Sequence, residues 1–169
     1  IEDAVIPSFV KRIASCAFCY CKCIETITFP DDSELAYIDD SAFSSSYVDD
    51  ITFPASLISI GEDAFAECKF LSDVDFSKAT NLKTIGRCAF FNSSIRSITI
   101  PSCVNFQEGP FYSAEYLNEI NIIPREEQNV MLYNDCFLIS KSDPKSDIFD
   151  ILICILQDIK KAIIPSFIK

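Results

Sequence analysis

The chain has 169 residues, 49% of them apolar and 23% charged, enough apolar surface for a packed core and too much for a disordered chain. Acidic residues outnumber basic ones 25 to 14, and the formal net charge of −11 excludes a phosphate-neutralising nucleic-acid footprint and opposes docking on anionic lipid. With no histidine and only three glycines, the chain cannot compose a Ser-His-Asp triad, a Cys-His dyad, an HExxH zinc site, a G-x-G-x-x-G turn or a P-loop.

In chain order, one phrase keeps returning. An Ala-Phe pair stands at 17–18, 42–43, 64–65 and 89–90, and diverges to Pro110-Phe111. Ten or eleven residues after each Phe comes Phe29, Phe53, Phe76, Ile100 or Ile122. Proline follows at 30, 54 and 101, and one residue late at 124, whereas Ser77 stands in the third copy. The segments ending there are IETITFP (24–30), VDDITFP (48–54), LSDVDFS (71–77), IRSITIP (95–101) and LNEINII (117–123). Their last residues alternate inward and outward and are β-branched or aromatic, which predicts a short strand in each, ended by a proline that cannot donate to a ladder. Strands recurring every 22 to 25 residues are too close for βαβ units with full helices. They suit the coils of a solenoid whose parallel strands stack about 4.8 Å apart. The Ala-Phe segment is expected on the opposite side of each coil, as a single helical or 3₁₀ turn.

One such coil cannot bury its own apolar side, but stacked coils align equivalent positions into ladders. The predicted core is a spine of Phe18, Phe43, Phe65, Phe90 and Phe111, flanked by two further ladders. These are Ile13, Ile38, Ile60, Ile85 and Phe106, and Ile27, Ile51, Val74, Ile98 and Ile120. Gly61 and Gly86 are expected at a left-handed turn position, where Asp39 is tolerated and Ala14 and Gln107 fit poorly.

Residues 124–158 break the frame. NVMLY (129–133), CFLIS (136–140) and IFDILIC (148–154) read as extended segments, and the polar KSDPKSD (141–147) is a turn between the last two. A β-hairpin insert is expected there. IKKAIIPSFIK (159–169) then reproduces IEDAVIPSFVK (1–11), 158 residues on. The expected organisation is a solenoid of about five coils over 1–123, a degenerate or hairpin insert over 124–158, and the start of a next repeat block at 159–169, as in a fragment of a longer array. The run IFDILICIL (148–156) is nine residues long, too short to span a bilayer, so no membrane insertion is expected. The start at Ile1 lacks the basic and apolar regions of a signal peptide.

Nine cysteines are present, at 16, 19, 21, 23, 68, 88, 103, 136 and 154. The cluster CAFCYCKC (16–23) suggests zinc or redox chemistry, but structural zinc sites join two separated C-x2-C pairs and no second pair exists. The repeat frame offers packing instead. Cys21 and Cys68 take the slot filled elsewhere by Ser46, Ser93 and Ala114, and a free Cys behaves as a small hydrophobe. Cys23 matches Phe70 and Tyr116, read as a further packing slot. A disulfide and a metal site are the alternatives. The odd count leaves at least one free thiol, which leans toward a reducing, cytoplasmic compartment.

The recurring frame I-P-x-x-[LV]-x-x-I-G-x-x-A-F-x-x-C-x-x-L-x-x-I-x-I-P resembles the BspA-like leucine-rich repeat. It is carried by IPSFVKRIASCAFCYCKCIETITFP (6–30), FPASLISIGEDAFAECKFLSDVDF (53–76) and LKTIGRCAFFNSSIRSITIP (82–101), and the resemblance covers residues 1 to about 123. It implies a curved leucine-rich-repeat solenoid, an α/β-type horseshoe that is mostly β, with the strand sheet on its concave face and short turns opposite. Members of that family are typically cell-surface or secreted proteins of bacteria and protist parasites, in adhesion and protein recognition. The resemblance therefore implies a binding protein and not an enzyme, with no catalytic residue, metal or cofactor to carry over. Pro110, Phe106 and Ser77 depart from the frame, which weakens the match most at the fifth coil.

Strand alternation directs Asp3, Thr26, Thr28, Asp50, Thr52, Asp73, Asp75, Ser97, Thr99, Glu119 and Asn121 outward. These candidate ligand-binding residues hold five carboxylates and no basic side chain, a strip that would attract and steer a basic protein segment. The alternative is a solvated sheet face with β-favouring threonine. A calcium ion at Asp73 and Asp75 lacks a supporting loop motif. Asn92-Ser93-Ser94 is a glycosylation sequon that matters only in a secreted chain. Two functions follow: an extracellular recognition or adhesion module, or an intracellular scaffold segment used for assembly.

Overall fold

The computed structural model describes residues 3–156. Its strands are β1 (Asp3–Val5), β2 (Arg12–Ile13), β3 (Thr26–Thr28), β4 (Tyr37–Ile38), β5 (Asp50–Ile51), β6 (Ser59–Ile60), β7 (Asp73–Asp75), β8 (Thr84–Ile85), β9 (Ser97–Pro101), β10 (Asn105–Phe106), β11 (Glu119–Ile123), β12 (Val130–Tyr133), β13 (Phe137–Ser140) and β14 (Ile151–Ile155). Through β11 every pairing is parallel and joins neighbouring coils. The five predicted strands are β3, β5, β7, β9 and β11. They form one side of a solenoid, with β1 ahead of them.

A second strand in each coil went unread in the sequence. β2, β4, β6, β8 and β10 make a continuous five-stranded sheet, each strand only two residues long. The first side is interrupted between β5 and β7. Thr26 pairs with Asp50 and Asp73 with Ser97, so an unbroken register would set Asp50 beside Asp73. Like charges directly opposite oppose pairing, and the sheet parts there.

The third side replaces the expected helical turn, and no helix occurs among the described residues. Each coil places two residues four apart in the left-handed region, at 16 and 20, 41 and 45, 63 and 67, 88 and 92, and 109 and 113, with φ between 49° and 60°. A left-handed residue at every fourth position cannot propagate a right-handed helix. The freed amides pair across coils instead. The Phe43 N–H donates to the Ala64 carbonyl and the Phe65 N–H to the Ala89 carbonyl, both at 2.8 Å. Pro110 keeps the acceptor this pattern uses, taking the Phe90 N–H at 2.8 Å, so its departure from the frame does not break the fifth coil.

The three sides enclose the predicted ladders. Rings of the Phe spine stack at 4.9, 5.0, 5.6 and 5.8 Å with interplanar angles of 4° to 12°. Phe53 and Phe76 pack beside it at 4.3 Å. The isoleucine ladders are buried, and Phe106, half-buried in place of an isoleucine, meets Phe111 edge-on at 5.5 Å.

Gly61 and Gly86 do not occupy a left-handed position; of the glycines only Gly109 does, at φ 58°. They serve close approach between coils. A Cβ on Gly86 would lie 2.4 Å from the Gly61 carbonyl carbon, and one on Gly61 would lie 2.5 Å from Asp40 Oδ1.

The extended segments of the C-terminal stretch form an antiparallel sheet, β12-β13-β14, with one strand more than a hairpin. Asp150, buried, closes the turn between β13 and β14 by accepting from the Ser142 N–H and hydroxyl at 2.9 Å each. The copy of the opening phrase at 159–169, and residues 157–158 of the expected insert, lie outside the described residues.

Candidate functional site

Side chains at i and i+2 of a strand share a face, so each strand of the first side contributes its outer residues to a common strip. Register builds two files. Asp3, Thr26 and Asp50 stand in line, as do Asp73, Ser97 and Glu119. Thr28 pairs with Val5 in the second file, where Asp75, Thr99 and Asn121 also align. Thr52 follows β5 and is exposed. All eleven sequence-predicted residues are exposed or half-buried. Val5, strongly exposed at the head of the second file, was missed, although the alternation that turns Asp3 outward turns Val5 outward too.

The five carboxylates are not equivalent. Asp73 accepts from the Ser72 and Ser97 hydroxyls at 2.5 Å each, and these bonds hold its carboxyl below the usual range. Asp75 accepts from the Ser77 N–H at 2.7 Å and hydroxyl at 3.0 Å. Glu119 accepts from the Asn121 amide at 3.0 Å. Asp3 and Asp50 accept no hydrogen bond from the described residues, and their charge is the most available to a partner. No group of three or more Cys, Asp or Glu side chains among the described residues is placed to hold a metal ion.

The turn side carries a second charged group. Burial raises the Asp63 carboxyl, the Glu62 and Asp40 carboxylates raise it further, and Arg87 opposes them. Arg87 is itself paired with Glu62 at 2.9 Å. A folded-state value above the ordinary one means that Asp63 contributes stability fully present below the ordinary carboxylate range and lost as pH rises through its folded value. Asp63→Asn, which keeps a side chain suited to φ 52°, is therefore expected to melt higher than the parent at pH 7, with the gap closing below about pH 4. Thermal melts at both pH values check this; a gap independent of pH would refute it. Asp73 and Glu67, whose values are lowered, act in the opposite sense, and their contribution is lost on acidification.

The cysteine slots divide. Cys68 is buried as expected and donates to the Phe43 carbonyl at 3.2 Å, and burial pushes its thiol up to about 11. Ser93 fills the same slot and donates to the Phe90 carbonyl at 2.8 Å. Cys23, Phe70 and Tyr116 are exposed and lie outside the core, because five residues past the spine Phe the chain has already turned outward. Phe70 lies 4.6 Å from Tyr47, over which Lys22 sits at 5.9 Å. This aromatic and basic corner escaped the sequence reading. So did a cleft of about 540 Å³ between 104–109 of the fifth coil and 151–153 of β14, which arises from the placement of the C-terminal sheet. In the sequon, the Asn92 amide donates to Glu67 at 2.8 Å and Ser93 is buried. No helix of the described residues is long and apolar enough to cross a membrane.

The chain matches the family model of the BspA type leucine rich repeat region, in six copies, over residues 1–118 and 36–142. No curated protein matches it. Among solved structures it is similar to the pneumococcal vaccine antigen PcpA, at 30% identity and a TM-score of 0.71, covering 83% of this chain and 34% of that one. It is similar to a leucine rich cell surface protein from Faecalibacterium prausnitzii, at 26% identity and a TM-score of 0.67, covering 75% of this chain and 33% of that one. A leucine-rich repeat protein from Eubacterium ventriosum matches at 25% identity and a TM-score of 0.71, covering 83% of this chain and 36% of that one. The chain thus spans about a third of the length of each.

Proposed function

Because the chain belongs to the BspA-type leucine-rich repeat family, a non-catalytic repeat fold whose members are generally protein-interaction modules, we propose that it is a non-enzymatic protein-binding module that works in cell-surface recognition or adhesion through its strand face. The observation that carries this reading is the strip itself: eleven outward side chains along the first side, ten of them aligned by strand register, five of the eleven carboxylates and none basic. A basic protein segment is the partner that such a field attracts and orients. Likeness to a cell surface protein and to a vaccine antigen supports the surface setting. An intracellular scaffold is the second reading, favoured by nine cysteines that are all free.

Asp50 is the informative position, since its carboxylate has no partner to lose. Asp50→Lys should change stability by no more than about 0.5 kcal/mol, because the position is exposed and its carboxylate accepts no bond from the described residues. Partners recovered by the wild-type protein in a pulldown should be lost by the Asp50→Lys/Asp73→Lys double variant, and their capture by wild type should weaken with added salt. Equal recovery by both proteins would remove the strand face from consideration.

A further inference from the structure

The first coil differs from the rest in its turn side. There the spine Phe18 is flanked by Cys16 and Cys19, and the equivalent pairs are Ser41 and Ser44, Asp63 and Ala66, Cys88 and Phe91, and Gly109 and Tyr112. Of these five coils only the first holds two thiols. The turn between the paired positions is the same throughout. Cys19 N–H donates to the Cys16 carbonyl at 3.1 Å, and the matching bonds in later coils measure 3.1, 3.0, 2.8 and 3.0 Å. A four-residue turn of this kind keeps its end Cα atoms within about 7 Å, the range a disulfide bridges. Cys16 is exposed and Cys19 half-buried, so a soluble reagent reaches the pair.

We propose that Cys16 and Cys19 are a reversible dithiol–disulfide site, oxidised by exchange with a disulfide of low molecular weight or of another protein. The turn sets the two residues at its two ends, joined by the bond from the Cys19 N–H to the Cys16 carbonyl. Burial raises the Cys19 thiol, and the charge of a Cys16 thiolate, together with the bond that the Cys19 S–H donates to it, raises it further. Cys16, the more exposed, attacks first: its thiolate bonds one sulfur of the incoming disulfide, whose S–S bond breaks and releases one thiolate. Cys19 then loses its proton and attacks the Cys16 sulfur, and the second thiolate leaves. Two electrons pass from the protein thiols to the incoming disulfide, and the two protons end on the two released thiols. The loop closed is only four residues long, so the bond restrains little of the unfolded chain and acts as an exchangeable switch instead of a structural staple. Cys21, half-buried, follows the turn at the small slot of the frame, and Cys23 beyond it is exposed.

The test is treatment of the native protein with oxidised glutathione, followed by acid quench, alkylation and peptide mass spectrometry. The expected result is loss of two alkylatable thiols, no retained glutathione, and an internal link between Cys16 and Cys19 that dithiothreitol reverses. Cys19→Ser should trap glutathione on Cys16, and Cys16→Ser should abolish the internal link. Both should fold as the parent does by circular dichroism, because serine already stands at both equivalent positions of the second coil. Cys21→Ser and Cys23→Ser should leave the link intact. A link through Cys21 or Cys23, a lasting glutathione adduct on wild-type Cys16, or no loss of thiols would each overturn the proposal.

Discussion

Replacing Phe65 by alanine is expected to lower the unfolding free energy by about 4 kcal/mol, read as a drop in the urea midpoint with the slope of the transition unchanged. Phe65 has no exposed surface. Its ring lies between Phe43 at 5.0 Å and Phe90 at 5.6 Å, with Phe53 edge-on at 5.9 Å. Neighbouring coils cannot close the resulting void, because backbone hydrogen bonds set their separation: Phe43 N–H to Ala64 and Phe65 N–H to Ala89, both at 2.8 Å. The lost transfer energy and the persistent cavity therefore add. Against a typical domain stability of about 5–15 kcal/mol this is a large share. Phe18→Ala provides the comparison. Among the described residues Phe18 stacks on Phe43 alone, and it is half-buried, so its truncation should cost roughly half as much or less. Equal losses at the two sites would mean that the spine is not the element that binds the coils together.

The spine was legible because five Phe residues recur at nearly constant spacing, and stacking is the only way such a pattern can bury itself. The strands of the first side were legible from period-two alternation, which around the two-residue β5 runs on through Thr52 and Phe53. Those of the second side were not, since Arg12–Ile13 or Ser59–Ile60 gives a single inward residue and no alternation to read. The turn side was misread for a different reason. Of its ten left-handed positions only Gly109 is glycine; the others include Cys16, Tyr20, Ser41 and Glu67, types that give no left-handed signal. Contacts between coils hold them there, and such contacts are tertiary facts.

The strip was legible to the same depth. Outward direction follows from alternation, and all eleven residues are where that reading puts them. Their electrostatic differences were hidden. Ser97 reaches Asp73 from the next coil, 24 residues on, and the Ser77 backbone folds back on Asp75. These bonds occupy oxygens of Asp73 and Asp75, which stay exposed, and make Asp50, which looked identical in the sequence, the cleaner probe. Cys23 was misassigned because the frame aligns residues by number, whereas the chain turns outward after the Phe+3 slot.

Gly86→Ala separates two accounts of the repeated Ile-Gly pair. If the glycine served a left-handed turn, asparagine would be tolerated there far better than alanine. The geometry gives a different expectation. A Cβ at 86 meets the Gly61 carbonyl carbon at 2.4 Å, its oxygen at 2.5 Å and the Glu62 nitrogen at 2.7 Å, all backbone atoms of the preceding coil. No side chain can rotate to relieve this. The coils would have to separate by roughly 1 Å to restore ordinary contact distances. That motion would stretch the bond from the Gly86 N–H to the Ile60 carbonyl, now 2.8 Å, and the pairing of β6 with β8. The expected loss is about 3 kcal/mol or more, at the upper end of overpacking costs, and alanine and asparagine should be equally harmful. Gly109 is the control: its φ is 58° and a Cβ there meets nothing closer than 3.7 Å. Gly109→Asn should be nearly neutral and Gly109→Ala should cost about 1–2 kcal/mol. Denaturation of the four variants decides the matter, since rescue by asparagine at 86 would restore the turn account and its absence places the glycine requirement in the backbone of the adjoining coil.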